Sequence, residues 1–442
     1  MFGAVEFLNK YIFGVGVPVL LILSGIFYCI RLKFFHFLHP VKIIKSLRSD
    51  KTEDGVSPAK ALTLALAGTL GVGNMVGVAS AIALGGFGAV FWMWVSALVA
   101  MVLKYAEIVL AMLYRKYDAD GRPHGAAMYY IKACFKGKPG VILAGIFAVF
   151  CILNAFTMGS MIQVSASANA MHGVFGVPQI AIGVIFALIV FFAMIRGQSG
   201  ILGVTEKLVP FMSVGFVLLS IAVIIMRPTD AADAFRKIFA DAFELKSGMA
   251  GVGGFLLSGA LRYGTMRGIL SNEAGCGTAP AAHAVSNCRE PSKQGIWGIF
   301  EVFVDTILLC TLTAIVIIIG YGAIDPSGDY MMMTVDSYES VLGTSAGYFL
   351  AIAVLLFGLA TVLCWAHYGM ESTLYFSRKK NMHRAFVFLY SLSILFGSVI
   401  STDIIWAAAD LCIGVMTVIN LSALLIMNRE VRHETEYYFN KL

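Results

Sequence analysis

The sequence predicts an all-α integral membrane protein of about 11 transmembrane helices: a 5+5 inverted repeat with two discontinuous helices, plus one extra N-terminal helix. Three observations lead there. Of the 442 residues, 59% are hydrophobic and 13% charged, and the mean hydropathy is +0.83, far above that of a soluble domain. Loop charge alternates along the chain as the positive-inside rule requires. Two spans, five apart in order, are interrupted by glycines and polar residues that a straight helix in lipid would not tolerate.

Apolar segments of spanning length, roughly 20 residues, centre on 11–30, 59–85, 89–113, 141–168, 178–195, 205–226, 248–279, 295–321, 346–368, 384–401 and 404–427. The first, 11–30, follows Glu6 and Lys10 and has no small-residue cleavage site, so it reads as a retained extra helix. Residues 59–226 then form the first repeat, 248–427 the second and 428–442 a cytoplasmic tail, within one transmembrane domain over 1–442. The loop after the first segment holds Arg31, Lys33, Lys42, Lys45 and Arg48, and basic residues recur after the third, fifth, seventh and ninth. Alternate loops at 85–88, 171–178 and 401–403 hold no Lys or Arg, and Asp325–Glu339 is acidic. This places the N-terminus outside and the C-terminus inside a plasma (inner) membrane. Only the loop Arg227–Lys246 is mixed, and it is long enough for an amphipathic helix on the outer surface.

The pI near 8.8 follows from these basic loops and requires no nucleic-acid partner. Eight scattered cysteines, without a C-x-x-C pair, read as reduced or packed thiols. Lipid and a small solute are the expected partners, for a monomer or loose oligomer.

The first interruption is Gly68-Thr69-Leu70-Gly71-Val72-Gly73-Asn74-Met75-Val76-Gly77, with four glycines in ten residues. Each costs a helix about 1 kcal/mol relative to Ala, and backbone freed there must face protein or a polar cavity. Thr69 and Asn74 would line that cavity. The plainer alternative is that the glycines only allow close helix packing. A second interruption shifts the balance: Gly248 to Pro280 contains Arg262, Arg267, Glu273 and many glycines. Setting the extra helix aside, the interrupted spans are the first and sixth, so each opens a five-helix half and the two meet near the midplane. Unpaired amides and the positive end of a half-helix suit a carboxylate, and freed carbonyls at the opposite end suit a cation. An amino acid would fit, its carboxylate at Gly71–Gly73 and its amine near Leu270–Glu273, with Na+ held by backbone carbonyls, Asn74 and a hydroxyl.

The runs Gly68 to Trp94, Lys104-Tyr-Ala-Glu107 and Arg267-Gly-Ile-Leu-Ser-Asn-Glu-Ala-Gly-Cys-Gly-Thr-Ala-Pro280 resemble the alanine or glycine:cation symporter family. The resemblance implies a fold of the leucine-transporter type and Na+- or H+-coupled uptake of small neutral amino acids. It also implies substrate contacts at Thr69, Gly73, Gln163, Leu270, Ser271, Glu273 and Trp365, and a cation at Gly71, Asn74 and Thr361. Four positions depart from the family pattern: Val72 stands for a frequent Thr, Leu270 for Phe, Ala360 for Ser and Phe87 for Pro. The lost aromatic wall predicts a wider pocket, and the lost hydroxyls bear on the coupling ion.

Further residues have structural readings beside functional ones. Lys104 and Glu107, three apart, are expected to pair on one helix face, a structural contact rather than a gate. Asp305, one turn after Glu301, is either functional or paired with Arg262 or Arg267. Gln163 taken alone reads as an interhelical hydrogen bond, and Trp365 as core or interface belt. His124, His283 and His367 have no metal-ligand spacing. The Met331–Met333 run reads as a surface helix. An intramembrane enzyme would need a nucleophile and base, or metal ligands such as H-E-x-x-H, at a recognisable spacing, and no H-E-x-x-H occurs. An ion channel is the nearer rival, distinguished by conduction without substrate. If Leu270 sets pocket width, Leu270→Phe shifts uptake competition toward glycine and alanine, and an unchanged side-chain profile refutes that role.

Overall fold

Backbone surrounded by lipid must satisfy its own hydrogen bonds, so the apolar segments are expected to be helical, and where described they are. The computed structural model describes residues 16–47, 55–118, 121–243, 259–323, 329–400 and 403–441. Residues 11–15 of the first predicted span, 248–258 of the seventh, and the loop charges at 48–54 and 324–328 lie outside the described residues.

Among the described residues the first long helix is α1 (Val17–Arg31); after two short helices, Phe35–Leu38 and Pro40–Ser46, come the bent pair α2 (Pro58–Thr69) and α3 (Gly73–Gly85), α4 (Ala89–Tyr114) and the short α5 (Ala127–Phe135). Then come α6 (Gly137–Phe175), α7 (Gln179–Ile195), α8 (Gln198–Met226) and α9 (Pro228–Asp241). The second part holds α10 (Gly259–Asn272), α11 (Ala279–His283), α12 (Pro291–Gly320), α13 (Tyr330–Leu342) and α14 (Thr344–Phe376), and ends in α15 (Lys380–Gly397), α16 (Asp403–Ile426) and α17 (Asn428–Lys441). Six of these, α4, α6, α8, α12, α14 and α16, are long and apolar enough to cross a membrane, and the bent pair makes a seventh. α1 and α7 are apolar but shorter, at 15 and 17 residues.

Both interruptions are breaks. Ser57 caps α2 by accepting the Lys60 amide, with Pro58 preset for the first turn, and the helix stops at Thr69. The axis turns by 54° before α3 resumes, beginning with a π-helical stretch at Gly73–Gly77. In the second, α10 ends at Asn272, and Glu273, Gly275 and Gly277 all take positive φ, at 52°, 83° and 81°, before α11. Glycine tolerates that conformation; Glu273 adopts it at a steric cost.

α4 packs along both α10 and α12. Its approach to α10 is close because Gly264 and Gly268, four apart, present no side chain: a Cβ there would strike the Ala89 carbonyl or Ser96 Oγ. The mixed loop does hold an amphipathic helix, α9, with Ala231, Ala234 and Ile238 turned inward and Asp241 accepting the Gly88 amide at 2.7 Å. Met331 and Met333 are buried, so α13 is no simple surface helix. Of the segment read as a tail, Asn428–Lys441 docks as α17: Tyr438 OH bonds Ser46 Oγ at 2.9 Å, and Lys441 pairs with Glu290 at 2.7 Å.

Between α4 and α5, Lys116–Tyr117 pairs antiparallel with Pro123–His124. This hairpin is fastened to the end of α14 by His124, whose Nδ1 lies 3.0 Å from Glu371 Oε1 and whose Nε2 lies 3.3 Å from Asp118 Oδ2. The hydrogen bond to Glu371 raises the imidazole pKa above 6.5, with Asp118 adding to it against partial burial. A raised folded-state pKa means the fastening contributes fully below about pH 6.5 and fades as pH rises through the folded value. His124→Gln is therefore expected to lower the melting temperature in micelles more near pH 6 than near pH 9. Equal losses at both would show that the contact does not depend on an imidazolium.

Candidate functional site

The two breaks face each other, with Ser271 Cα the nearest atom to the position a Cβ would take at Gly73. At the first break the freed Val72 amide donates to Gln163 Oε1 at 3.1 Å, and Gln163 Nε2 donates to the Met158 carbonyl on α6. Gly71 approaches so closely that a Cβ would meet Thr361 Oγ1 and Gln163 Oε1. Gly71, Gln163 and Thr361 thus form one cluster, where α2 and α3 meet α6 and α14.

Asn74 belongs to a second cluster. Its Nδ2 donates to Asp305 Oδ1 at 2.7 Å, and the other Asp305 oxygen accepts from Ser271 Oγ at 2.8 Å and Thr306 Oγ1 at 2.7 Å. The predicted cation set Gly71, Asn74 and Thr361 is therefore divided between two places. Asp305 pairs with neither arginine: Arg262 lies over the Tyr263 ring and Arg267 over Trp406, at 5.3 and 5.7 Å. The signal for Asp305 was legible, an acid in an apolar run. Its partners were not, because they come from three separate helices.

The other predicted contacts are buried around these clusters. Thr69 Oγ1 turns back to the Ala65 carbonyl at 3.4 Å, and Leu270 is 8% exposed. Trp365 is fully buried, stacked edge-on to Tyr368 at 5.3 Å and against Gly159 on α6. Glu273 accepts from Thr278 Oγ1 at 2.7 Å, which closes its own break.

Lys104 does not take Glu107 as its ion-pair partner. It pairs with Glu301 on α12 at 3.1 Å, and Glu301 also receives His283 Nε2 at 3.0 Å, while Gln294 holds the other imidazole nitrogen at 2.9 Å. Glu107 instead caps the second break, accepting from the Gly277 amide at 2.9 Å and from Asn420 Nδ2. Spacing along one helix suggested the pair; the tertiary neighbour at closer reach decides it.

A cavity of about 510 Å³ lies where the Asn169 end of α6, the first turn of α13 and the Trp406 end of α16 come together. It is lined by Val72, Val76, Ser165, Asn169, Arg267 and Trp406 among others, and it reaches the first break at Val72. None of the predicted substrate contacts lines it; all of them except the half-buried Gly73 are buried.

A helical membrane protein with two broken helices facing each other, and a cavity leading to one break, is a transporter rather than an enzyme. The chain belongs to the sodium:alanine symporter family, whose profile matches residues 2–442. It is 35% identical to the sodium/alanine symporter AgcS of Methanococcus maripaludis over 447 residues, covering 98% of this chain and 96% of the relative. A Haemophilus influenzae uncharacterized transporter is also 35% identical, over 97% of this chain and 94% of its own length. The probable sodium/glutamine symporter GlnT of Bacillus subtilis is 31% identical, over 93% and 85%. The fold is shared with a Na+-coupled sialic acid symporter, with TM-score 0.56 and 13% identity over 88% of this chain and 82% of that one. It is shared also with the Eremococcus coleocola manganese transporter, at TM-score 0.53 and 14% identity over 84% and 76%. The chain is accordingly a multi-pass, cation-coupled amino-acid symporter.

Gln163 spans the first break, so Gln163→Ala leaves the Val72 amide buried and unpaired at a cost of about 1–3 kcal/mol. The expected result is a lower melting temperature together with weaker amino-acid binding. An unchanged melt would show that Gln163 does not hold the break.

Proposed function

We propose that the protein couples entry of Na+, with H+ as the alternative ion, to uptake of a small neutral amino acid such as alanine or glycine by alternating access. The observation that carries this reading is the meeting of the two breaks at Gly73 and Ser271. Eleven crossings are proposed: α1, five from the α2–α3 pair through α8, and five from the α10–α11 pair through α16, in two halves of opposite orientation. With the N-terminus outside and the C-terminal α17 cytoplasmic, the 510 Å³ cavity faces outward and serves as the substrate's entry.

Substrate then sits between the breaks. Its carboxylate meets amides at Gly73 beside Thr69 and Gln163, and its amine meets carbonyls at Leu270, Ser271 and Glu273. Trp365 forms a wall of the site. One Na+ lies by Gly71 and Thr361, where the backbone comes against two side-chain oxygens. Leu270 and the relative described as a sodium/glutamine symporter support a side-chain pocket larger than alanine needs. Closing α6 and α14 against the α2–α3 and α10–α11 pairs would exclude water from this site, and opening at the hairpin end would release substrate inward.

The test is uptake of labelled alanine and glycine into proteoliposomes under an inward Na+ gradient, an inward H+ gradient or neither, with other neutral amino acids as competitors. Accumulation under one gradient is expected and names the ion. Ion leak without accumulation of any amino acid would overturn the proposal in favour of a channel.

A further inference from the structure

α5 ends at Phe135 and α6 starts at Gly137, so a single residue, Lys136, joins them. Lys136 and Gly137 both take positive φ, at 45° and 58°, and the chain reverses there. The two helices come close because Gly140 presents no side chain: a Cβ there would strike the Lys132 carbonyl. This brings Lys132, in the last turn of α5, beside Lys138 in the first turn of α6. Both lysines, with Gly137, Val141 and Ile142, line an open cavity of about 560 Å³. Lys132, Lys136 and Lys138 are exposed, and among the described residues none of them makes an ion pair.

The cavity is charged at one side and apolar at the other. Ile142, Ile146, Val149 and Leu153 are 58%, 38%, 45% and 45% exposed and recur at helical spacing on one face of α6. An apolar stripe therefore runs from the lysines along a helix long enough to cross the membrane. The first amides of α6 add the positive end of a helix, and no acid stands in its first turn. A free anion would use the lysines alone. A phosphate carrying acyl chains uses both halves, its headgroup at the lysines and a chain on the stripe.

We propose that this cavity holds the headgroup of a phospholipid of net negative charge, drawn from the leaflet at the Lys136 end of α6. Its phosphate oxygens accept from the Lys132 and Lys138 ammonium groups, and an acyl chain lies along Ile142 to Leu153. A zwitterionic headgroup fits less well, because three lysines repel its choline or ethanolamine cation. The bound lipid pins the start of α6, the helix whose Gln163 holds the first break. The site owes nothing to the transported solute or ion; the topology proposed above decides only that the leaflet is the cytoplasmic one.

The experiment is native mass spectrometry of the purified, delipidated full chain with phosphatidylglycerol, phosphatidylcholine or inorganic phosphate, together with the melting temperature in the same micelles. The wild-type chain is expected to retain one phosphatidylglycerol where phosphatidylcholine is lost, and to melt higher with it. Replacing both exposed lysines, Lys132→Gln with Lys138→Gln, is expected to weaken phosphatidylglycerol binding about tenfold or more and to remove the melting shift. Lys33→Gln with Lys45→Gln, which takes the same charge from another basic loop, leaves both readouts intact. Equal binding of the two lipids, or wild-type phosphatidylglycerol binding in the Lys132 and Lys138 variant, would overturn the site. Equal losses in the Lys33 and Lys45 variant would overturn it too, by showing attraction to the basic surface as a whole. A melting shift reproduced by inorganic phosphate would show a simple anion site and overturn the lipid.

Discussion

Backbone unwound at membrane depth persists only if each freed N–H and C=O finds a partner inside the protein. Both breaks draw on side chains for this, most of them brought from other helices. Gln163 takes the Val72 amide; Asn272 Oδ1 takes the Ala274 amide at 3.0 Å; Glu107 takes the Gly277 amide; Asn420 Nδ2 donates to the Gly275 carbonyl at 2.9 Å. Asn420 is itself held by Tyr130 OH. The helices that supply these groups, α4, α6 and α16, are fixed relative to the breaks by the breaks' own needs.

The charged groups of the interior follow from the same economy. Lys104, Glu301 and His283 join α4, α12 and α11 with no exposure to solvent. Such a pair adds little net stability over an apolar core, but removing one partner strands the other at a cost of about 3–5 kcal/mol. Its consequence here is alignment: α4, α11 and α12 are tied together at Glu301. The π-helical stretches at Gly73–Gly77, Thr157–Ile162 and Phe303–Cys310 fall on the three helices around the site. Each holds a residue of the two clusters or lies next to one: Asn74, Gln163 and Asp305. Widened turns of this kind re-aim side chains at functional places.

Local composition made most of the helices legible. Apolar length marked the spans, and the glycines of Gly68–Gly77 and the charges of Arg262–Glu273 marked both breaks. The amphipathic α9 was likewise written in its own residues. These are properties of a short stretch meeting lipid or water, and a stretch carries that information by itself.

Partnership was not legible, because it depends on which helices become neighbours. Lys104 could reach Glu107 by helical spacing and pairs with Glu301 instead; Asn74 and Thr361, read together, face different clusters; Asp305 pairs with neither arginine. The sequence by itself determined that the chain is a bundle of apolar helices with two weak points and placed polar residues at them. Only the tertiary structure decided which oxygen faces which amide, since a hydrogen bond inside a membrane is selected by distance and direction between helices far apart in the chain.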